Sequence, residues 1–389
     1  MIRLASIIRS SAWLLLCAAF PLALSAQTQW DGQVVDAENG QPVPYVSIYL
    51  APNRGAVANE DGRFRITLQE GDIVRFSCIG YKKLTLGAAQ RTREVRLEPL
   101  PTGLRQVTVM PVEAKDILKR LVRQLNNEAN KFEKSRATYF FRNSLVQPEM
   151  SEMLEGFVIA HNAVNLHTFS LLAGRIYEVR PDTTDEKTLL DEGTNMHRLW
   201  EFAPCMKNAA LWQLALKPLN TFEKLEKYYD YEEASSFLDE EGRRFYRIPL
   251  RYNHKRPKLH YYEEAVVQGT LYVESWSGRL VRFDGEVLNL FVRGNVPTTH
   301  QFHILYDHAN GFTEVSSYFL HGQNELFRYD SHFFRVDKPL DGKERKIKED
   351  LKSVIEGMDE RPEMWSRYDV VRRTLLQEQL FGPVADDGD

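Results

Sequence analysis

The sequence predicts a mainly β protein with helices: a small antiparallel β-sandwich, then a larger antiparallel β-rich α+β domain. Three observations carry that expectation. Residues 31–81 break into short runs of alternating apolar and polar side chains, each closed by Gly, Asn, Asp or Pro, the pattern of strands that bury one face. Aromatic-rich alternating runs return from Thr138 onward. Between the two, Glu98-Pro99-Leu100-Pro101-Thr102-Gly103 is a proline- and glycine-rich break.

The amino terminus reads as an export signal. Arg3 and Arg9 precede an apolar stretch from Ala12 to Leu24, and Leu24-Ser25-Ala26 forms a cleavage site ahead of Gln27. That stretch contains Pro21 and is too short to span a bilayer stably. Residues 1–26 are therefore expected to be a removed signal peptide. The mature protein is expected to be exported, remaining periplasmic or outer-membrane associated, or being secreted. Cys17 lacks the small residue that precedes a lipidated cysteine, which favours soluble export. Cys78 and Cys205 then remain, in different expected domains, and both are read as small buried hydrophobes. No later apolar run approaches membrane-spanning length, so no transmembrane segment is expected in the mature chain. The net charge of −4, with both signs interspersed, argues against a nucleic-acid partner.

The first half carries a recognisable pattern. It runs Gly32-x-Val34-x-Asp36-x-x-x-Gly40-x-Pro42-Val43, then Ala58-Asn59-Glu60-Asp61-Gly62-x-Phe64, then Gly71-Asp72-x-Val74-x-Phe76-x-x-Ile79-Gly80-Tyr81. Over roughly residues 30–98 this resembles the carboxypeptidase-like regulatory domain. The resemblance implies a transthyretin-like sandwich, a non-catalytic accessory found ahead of many bacterial envelope proteins. The sandwich is assigned to residues 27–98, with a linker at 99–111 in which Leu104 to Val109 resembles the strand that closes such domains.

Residues 112–381 form the expected second domain, and 382–389 an acidic tail. A helix is expected from about Val112 to Lys134, because Ile117, Leu118, Leu121, Val122 and Leu125 fall on one stripe. Strands follow at Arg243 to Tyr252, Gln268 to Glu274 and Leu280 to Val292, the last two joined by the turn Ser275-Trp276-Ser277-Gly278. A meander is expected over 299–335, with turns at His308-Ala309-Asn310-Gly311 and His321-Gly322-Gln323-Asn324. Further helices are placed at about 207–233, 343–357 and 362–381. Gly269-Thr270-Leu271-Tyr272-Val273-Glu274 with Arg279-Leu280-Val281-Arg282, and Met364-Trp365-Ser366-Arg367-Tyr368-Asp369-Val370, are similar to envelope proteins of Bacteroidota that carry the same regulatory domain, and no activity comes with that likeness. The strand pattern is also similar to the curved half-barrel of periplasmic lipoprotein carriers, a likeness of fold alone.

The chemistry-bearing patterns are sparse. His260-Tyr261-Tyr262-Glu263 matches the first half of a zinc carboxypeptidase ligand set. The downstream histidines His300, His303, His308, His321 and His332 follow too soon for that family's spacing. Setting the meander by its two turns pairs His303 with Ser316 and Tyr329, and separates His303 from His300 and His332 across the sheet, so no metal site is expected. Paired acids at Glu232-Glu233, Asp239-Glu240-Glu241 and Glu263-Glu264 lack the set separation a glycosidase needs. There is no Gly-x-Ser-x-Gly elbow, Walker loop or dinucleotide fingerprint. No catalytic set, metal or cofactor is therefore expected.

The same register puts Phe302, Ile304, Val315, Phe319 and Leu326 on a core face. The opposite face then mixes aromatic and polar groups, and His303, Glu314, Tyr318, Phe327 and Tyr329 on it are the candidate ligand-binding residues. A helix covering that face is the competing reading. The function expected is an exported, non-enzymatic cell-envelope protein, its sandwich a docking module and its β-rich half a domain that binds a ligand or partner. The expected partner is an envelope protein, or an apolar or glycan ligand. The alternatives are a carrier of lipid or apolar ligand in a half-barrel groove, and a hydrolase of unrecognised type acting on glycan or peptide.

Overall fold

The computed structural model describes residues 28–50, 54–78, 80–99, 113–131, 136–148, 150–161, 169–180, 221–239, 241–253, 266–291, 297–308, 311–336, 342–347, 351–358, 365 and 372–382. The signal peptide, closing strand, Cys205, the His260 motif and acidic tail expected from the sequence lie outside these residues.

The sandwich is built as the alternation predicts. Strands β1 (Thr28–Asp36), β4 (Arg63–Leu68) and β7 (Glu94–Leu97) form one sheet in the order β4-β1-β7; β2 (Ser47–Leu50), β3 (Arg54–Val57), β5 (Ile73–Ser77) and β6 (Leu84–Gly87) form the other in the order β3-β2-β5-β6. All pairs are antiparallel except β1 with β7. Strand β4 shows why the pattern works: Phe64, Ile66 and Leu68 are buried while Arg63, Arg65 and Thr67 are half-exposed. Trp30, Phe64 and Phe76 meet edge to face at 5.4–5.5 Å between the two sheets, the offset arrangement that aromatic quadrupoles favour.

The larger domain is one open sheet of twelve strands, eleven of them running β11-β13-β14-β15-β16-β17-β18-β8-β9-β10-β19, with β12 also paired to β13. Its strands are β8 (Ala137–Val146), β9 (Ser151–Ala160), β10 (Phe169–Val179), β11 (Tyr229–Tyr231), β12 (Ser235–Leu238), β13 (Arg244–Tyr252), β14 (Val266–Glu274), β15 (Leu280–Phe291), β16 (Pro297–Asp307), β17 (Glu314–Gln323), β18 (Arg328–Val336) and β19 (Arg345–Lys346). Helix α1 (Ala114–Lys131) buries Ile117, Leu118, Leu121, Val122 and Leu125 on one face of this sheet, against Tyr139, Phe141, Phe302, Ile304 and Phe333. Two short helices, α2 (Phe222–Tyr228) and α3 (Leu351–Glu356), add Phe222, Leu225, Val354 and Ile355 to the same core. A last helix, α4 (Leu375–Phe381), sits beside the sandwich.

Several element expectations are corrected. Of the helix expected over 207–233, residues 207–220 lie outside the described residues; Phe222–Tyr228 is helical, and Tyr229–Tyr231 pairs as a strand with β13. Among the described residues of 343–357, Arg345–Lys346 is a strand and Leu351–Glu356 is helical; 348–350 lie outside them. Within 362–381, Trp365 is helical, 372–374 are not, and a separate helix begins at Leu375; 362–364 and 366–371 lie outside the described residues. Thr374 caps that last helix: its hydroxyl accepts from Gln377 N–H while the Gln377 side chain bonds back.

The meander register is corrected too. The second turn runs Asn324 to Phe327, not His321 to Asn324. Asn324 Oδ1 accepts from Leu326 and Phe327 N–H and its own N–H bonds Phe327 O, so β17 continues to Gln323 opposite Arg328. A bulge at Ser316 adds a second shift. His303 therefore lies opposite Phe319, which lies opposite His332. The slip is an odd number of residues, so Tyr318 moves to the other face.

Glycines fix the sheet where two backbones close up. Gly269 faces Gly285 on the neighbouring strand, and a Cβ on Gly285 would sit 2.0 Å from Gln268 O. That obstacle is backbone and cannot rotate away. Gly285→Ala is predicted to lower stability by about 1–3 kcal/mol through overpacking, read as an earlier urea midpoint with unchanged slope.

Candidate functional site

The two faces of the large sheet differ in chemistry. One is the apolar core under α1. The other carries polar rows that run across the strands in register. One row is Thr270, Asp284, His303, Phe319, His332, Arg142 and Glu155. The next is Gln268, Glu286, Gln301, His321, Asp330 and Ser144. Directly opposed residues share a face and interact. A polar face on this scale has to be covered or solvated, and both solutions occur here.

Over β17, β18, β8 and β9 it is covered. The carboxylate of Glu155 is fully buried between Arg142, whose Nε donates at 2.8 Å, and Arg373, whose Nη2 donates at 3.1 Å. Burial pushes Glu155 up, but the two guanidiniums outweigh it and hold the carboxyl below its ordinary value. Arg373 belongs to the strap 372–382 that contains α4. Its Nη1 also donates to Phe381 O and Gly382 O, the carbonyls at the end of that helix, and Gln377 Nε2 donates to Ser144 on β8.

The sandwich grips this strap through the motif Ala58-Asn59-Glu60-Asp61-Gly62. Asn59, fully buried, donates to Arg373 O at 3.1 Å, and Asp61 accepts from Leu375 N–H at 3.0 Å. Arg63 and Arg372 both hold Glu378, and Arg372 reaches Asp31 on β1. Glu60 crosses to the sheet and pairs with Arg328, which also donates to Asp330 at 3.0 Å. His321 Nδ1 lies 2.5 Å from Asp330 and 3.7 Å from Glu60. The hydrogen bond to Asp330 raises His321 above its ordinary value. Burial, then Asp330, raises Glu60. Glu60, His321 and Asp330 are a donor set of the kind that holds a cation, with ligand atoms within 4.8 Å of one another. Arg328 already bridges both carboxylates, so the set works as a four-charge clamp between the domains.

Tyr45 completes the contact. Its backbone is left-handed (φ 59°), a conformation costing a non-glycine residue about 1–2 kcal/mol. In return its ring stacks on Phe319 at 4.0 Å and on His303 at 5.4 Å.

Over β13–β16 the polar face is open. A cleft of about 780 Å³ lies there, walled on the sandwich side by Val43, Pro44, Tyr45, Glu60, Cys78 and Tyr81. Its floor carries Gln268, Thr270, Arg282, Asp284, Glu286, Gln301 and His303. Arg282 Nε donates to both oxygens of Asp284, at 2.8 and 2.6 Å, and His303 Nδ1 lies 2.5 Å from Asp284 Oδ1. Burial pushes Asp284 up, but those bonds hold it below the usual range; burial pushes His303 down, against the opposing pull of Asp284. Gln268 Nε2 donates to Glu286 at 2.6 Å. Cys78 is half-buried at the sandwich wall, where burial pushes its thiol up.

The five residues expected from the sequence to form a binding face are not brought together. His303 lines the cleft. Tyr318, Phe327 and Tyr329 are buried in the core with α1. Glu314 is buried and accepts from Arg335 at 2.7 Å. The floor residues Gln268, Thr270, Asp284 and Glu286 carry a signal in the sequence. On β14 and β15 they alternate with the buried Val267, Leu271, Phe283 and Val287, so a polar face paired with a core face was written in the period-2 pattern.

Two outcomes are predicted. Glu155→Ala leaves Arg142 and Arg373 as buried, uncompensated cations, and is expected to cost about 3–5 kcal/mol in urea denaturation. Burial also pushes His300 and His332 down to about 4. A depressed pKa gives stability that is complete above the unfolded value near 6.5 and is lost as pH falls toward 4. Stability measured by denaturation should therefore fall across that window, and His332→Leu should remove its share of the slope.

Residues 30–109 match the model of the CarboxypepD_reg-like domain. No curated protein matches the chain. Among solved structures, a DUF1329 family protein from Desulfovibrio piger is similar at 11% identity, covering 62% of this chain and 95% of its own, with a TM-score of 0.23. A putative outer membrane lipoprotein-sorting protein domain from Vibrio parahaemolyticus is similar at 7% identity, covering 61% of this chain and 98% of its own, with a TM-score of 0.21. The N-terminal sandwich is a CarboxypepD_reg-like domain, as its turn-and-strand pattern implied.

Proposed function

We propose that this is an exported, non-enzymatic envelope protein in which the CarboxypepD_reg-like domain docks on the β-rich domain, and that the cleft between them binds a ligand. The observation that carries this reading is the open half of the polar face. Its floor keeps hydrogen-bonding side chains in register beside a wall supplied by the other domain. A concave space of this size, with apolar walls and a few convergent polar groups, is the common form of a small-ligand site. Export rests on the amino-terminal signal; no helix among the described residues is long and apolar enough to cross a membrane.

The lipid-carrier reading is less well supported, because the side chains that stand in register on β14, β15 and β16 within the cleft are polar, although Val43, Pro44, Leu250 and Phe319 also line it. The hydrolase reading keeps one observation in its favour. Asp284 holds His303 in the manner of a general base, although Arg282 shares the same carboxylate. Turnover of a glycan or peptide that disappears in His303→Ala, with the fold intact, would establish it in place of the binding reading.

The binding reading is tested by native mass spectrometry of protein purified gently from its own periplasm, with aqueous and organic extracts analysed in parallel. The expected result is a bound small molecule that is lost from Thr270→Trp, which fills the cleft floor. A ligand-free mass, or a bound mass that Thr270→Trp leaves untouched, would contradict it.

A further inference from the structure

Resting on the reading of the cleft as the binding site, we propose that its occupant is a neutral glycan chain laid across strands β14–β16. The geometry of the floor points there. Gln268, Glu286 and Gln301 are directly opposed on three successive strands, so they repeat at about 4.8 Å. Thr270, Asp284 and His303 form a second such row two residues further along the strands, about 7 Å away. A chain crossing the strands meets a polar side chain at every step. Amides both donate and accept, hydroxyls do the same, and carboxylates accept. Sugar hydroxyls, each donor and acceptor, are the complementary partner.

Charge and shape narrow the class. Glu60 is paired with Arg328, Arg251 with Glu232, and Asp284 with Arg282. Only Glu286 is held by a neutral donor, Gln268. Among the described residues that line it, each cation therefore has a carboxylate partner, which gives a phosphate or an acidic peptide little to bind. Lipid chains laid on this floor would strip water from its half-exposed polar side chains, at a desolvation cost. An extended peptide gains affinity by adding to a free sheet edge, and β14, β15 and β16 each have neighbours on both sides. The apolar face of a sugar ring has a matching surface in the half-buried Tyr81 on the sandwich wall.

The test is isothermal titration of the full chain with cellohexaose, maltohexaose, xylohexaose and chitohexaose. A neutral octapeptide and phosphatidylglycerol vesicles serve as comparators. At least one hexasaccharide is expected to bind with a sub-millimolar Kd, and neither comparator to do so. Gln268→Ala and Gln301→Ala, at half-exposed and exposed positions, should each weaken that binding about tenfold without changing the thermal midpoint. Trp276→Ala, at an exposed hairpin tip outside the cleft, should leave it unchanged. Binding of the peptide or vesicles that the two glutamine substitutions remove would overturn the glycan inference and leave the cleft reading standing. Hexasaccharide binding that survives both substitutions would overturn the placement of the glycan on this floor. Absence of binding by every hexasaccharide would overturn the inference outright. If the periplasmic protein then also proves ligand-free, the cleft reading falls with it.

Discussion

The arrangement of the molecule turns on a carboxylate buried between two guanidiniums. Glu155 on the large sheet binds Arg142 beside it and Arg373 from the carboxy-terminal strap. An isolated charge at that depth would be prohibitively costly, and a pair in such a place is stable only when its geometry and hydrogen bonds are nearly complete. Meeting that condition brings the strap onto the sheet. Once there, the strap offers Arg373 O, Leu375 N–H and Glu378 to the sandwich, which answers with Asn59, Asp61 and Arg63. One electrostatic requirement in the sheet thus seats a second domain.

Seating the sandwich divides the polar face. The part beneath it is closed by the Glu60–Arg328–Asp330–His321 clamp and by Tyr45 against Phe319. The part beyond it stays open and becomes the floor of a cleft. The strained backbone of Tyr45 belongs to this division, since its ring stands at the boundary between the covered and open regions. The same rows of side chains therefore serve two purposes, structural on one side and available to a ligand on the other.

Much of the fold was legible because it follows from period and punctuation. Strand β4 alternates without fault, α1 carries a continuous apolar stripe, and Ser275 to Gly278 forms the turn it resembles. The meander register was not legible, for a local reason. Asn324 looks like the end of a turn but begins one, and the bulge at Ser316 leaves no mark in composition. With the register slipped, Tyr318 and Tyr329 seemed to share a face with His303, although they belong to the core. The floor of the cleft was half-legible: Gln268 and Thr270, or Asp284 and Glu286, alternate cleanly with apolar neighbours. What no local pattern encodes is that Asn59 and Arg373, far apart in sequence, close the space above them.

Hydrogen exchange by mass spectrometry on Arg373→Met tests the central claim most directly. That substitution removes the anchor of the strap while leaving the Arg142–Glu155 pair in place. If the triad seats the sandwich through the strap, segments 375–381 and 59–63 lose protection together, while β8 and β9 stay protected. If 59–63 remains as protected as in the unmodified chain while the strap loosens, the sandwich is held by other contacts, and Glu155 is not the interaction on which the cleft depends.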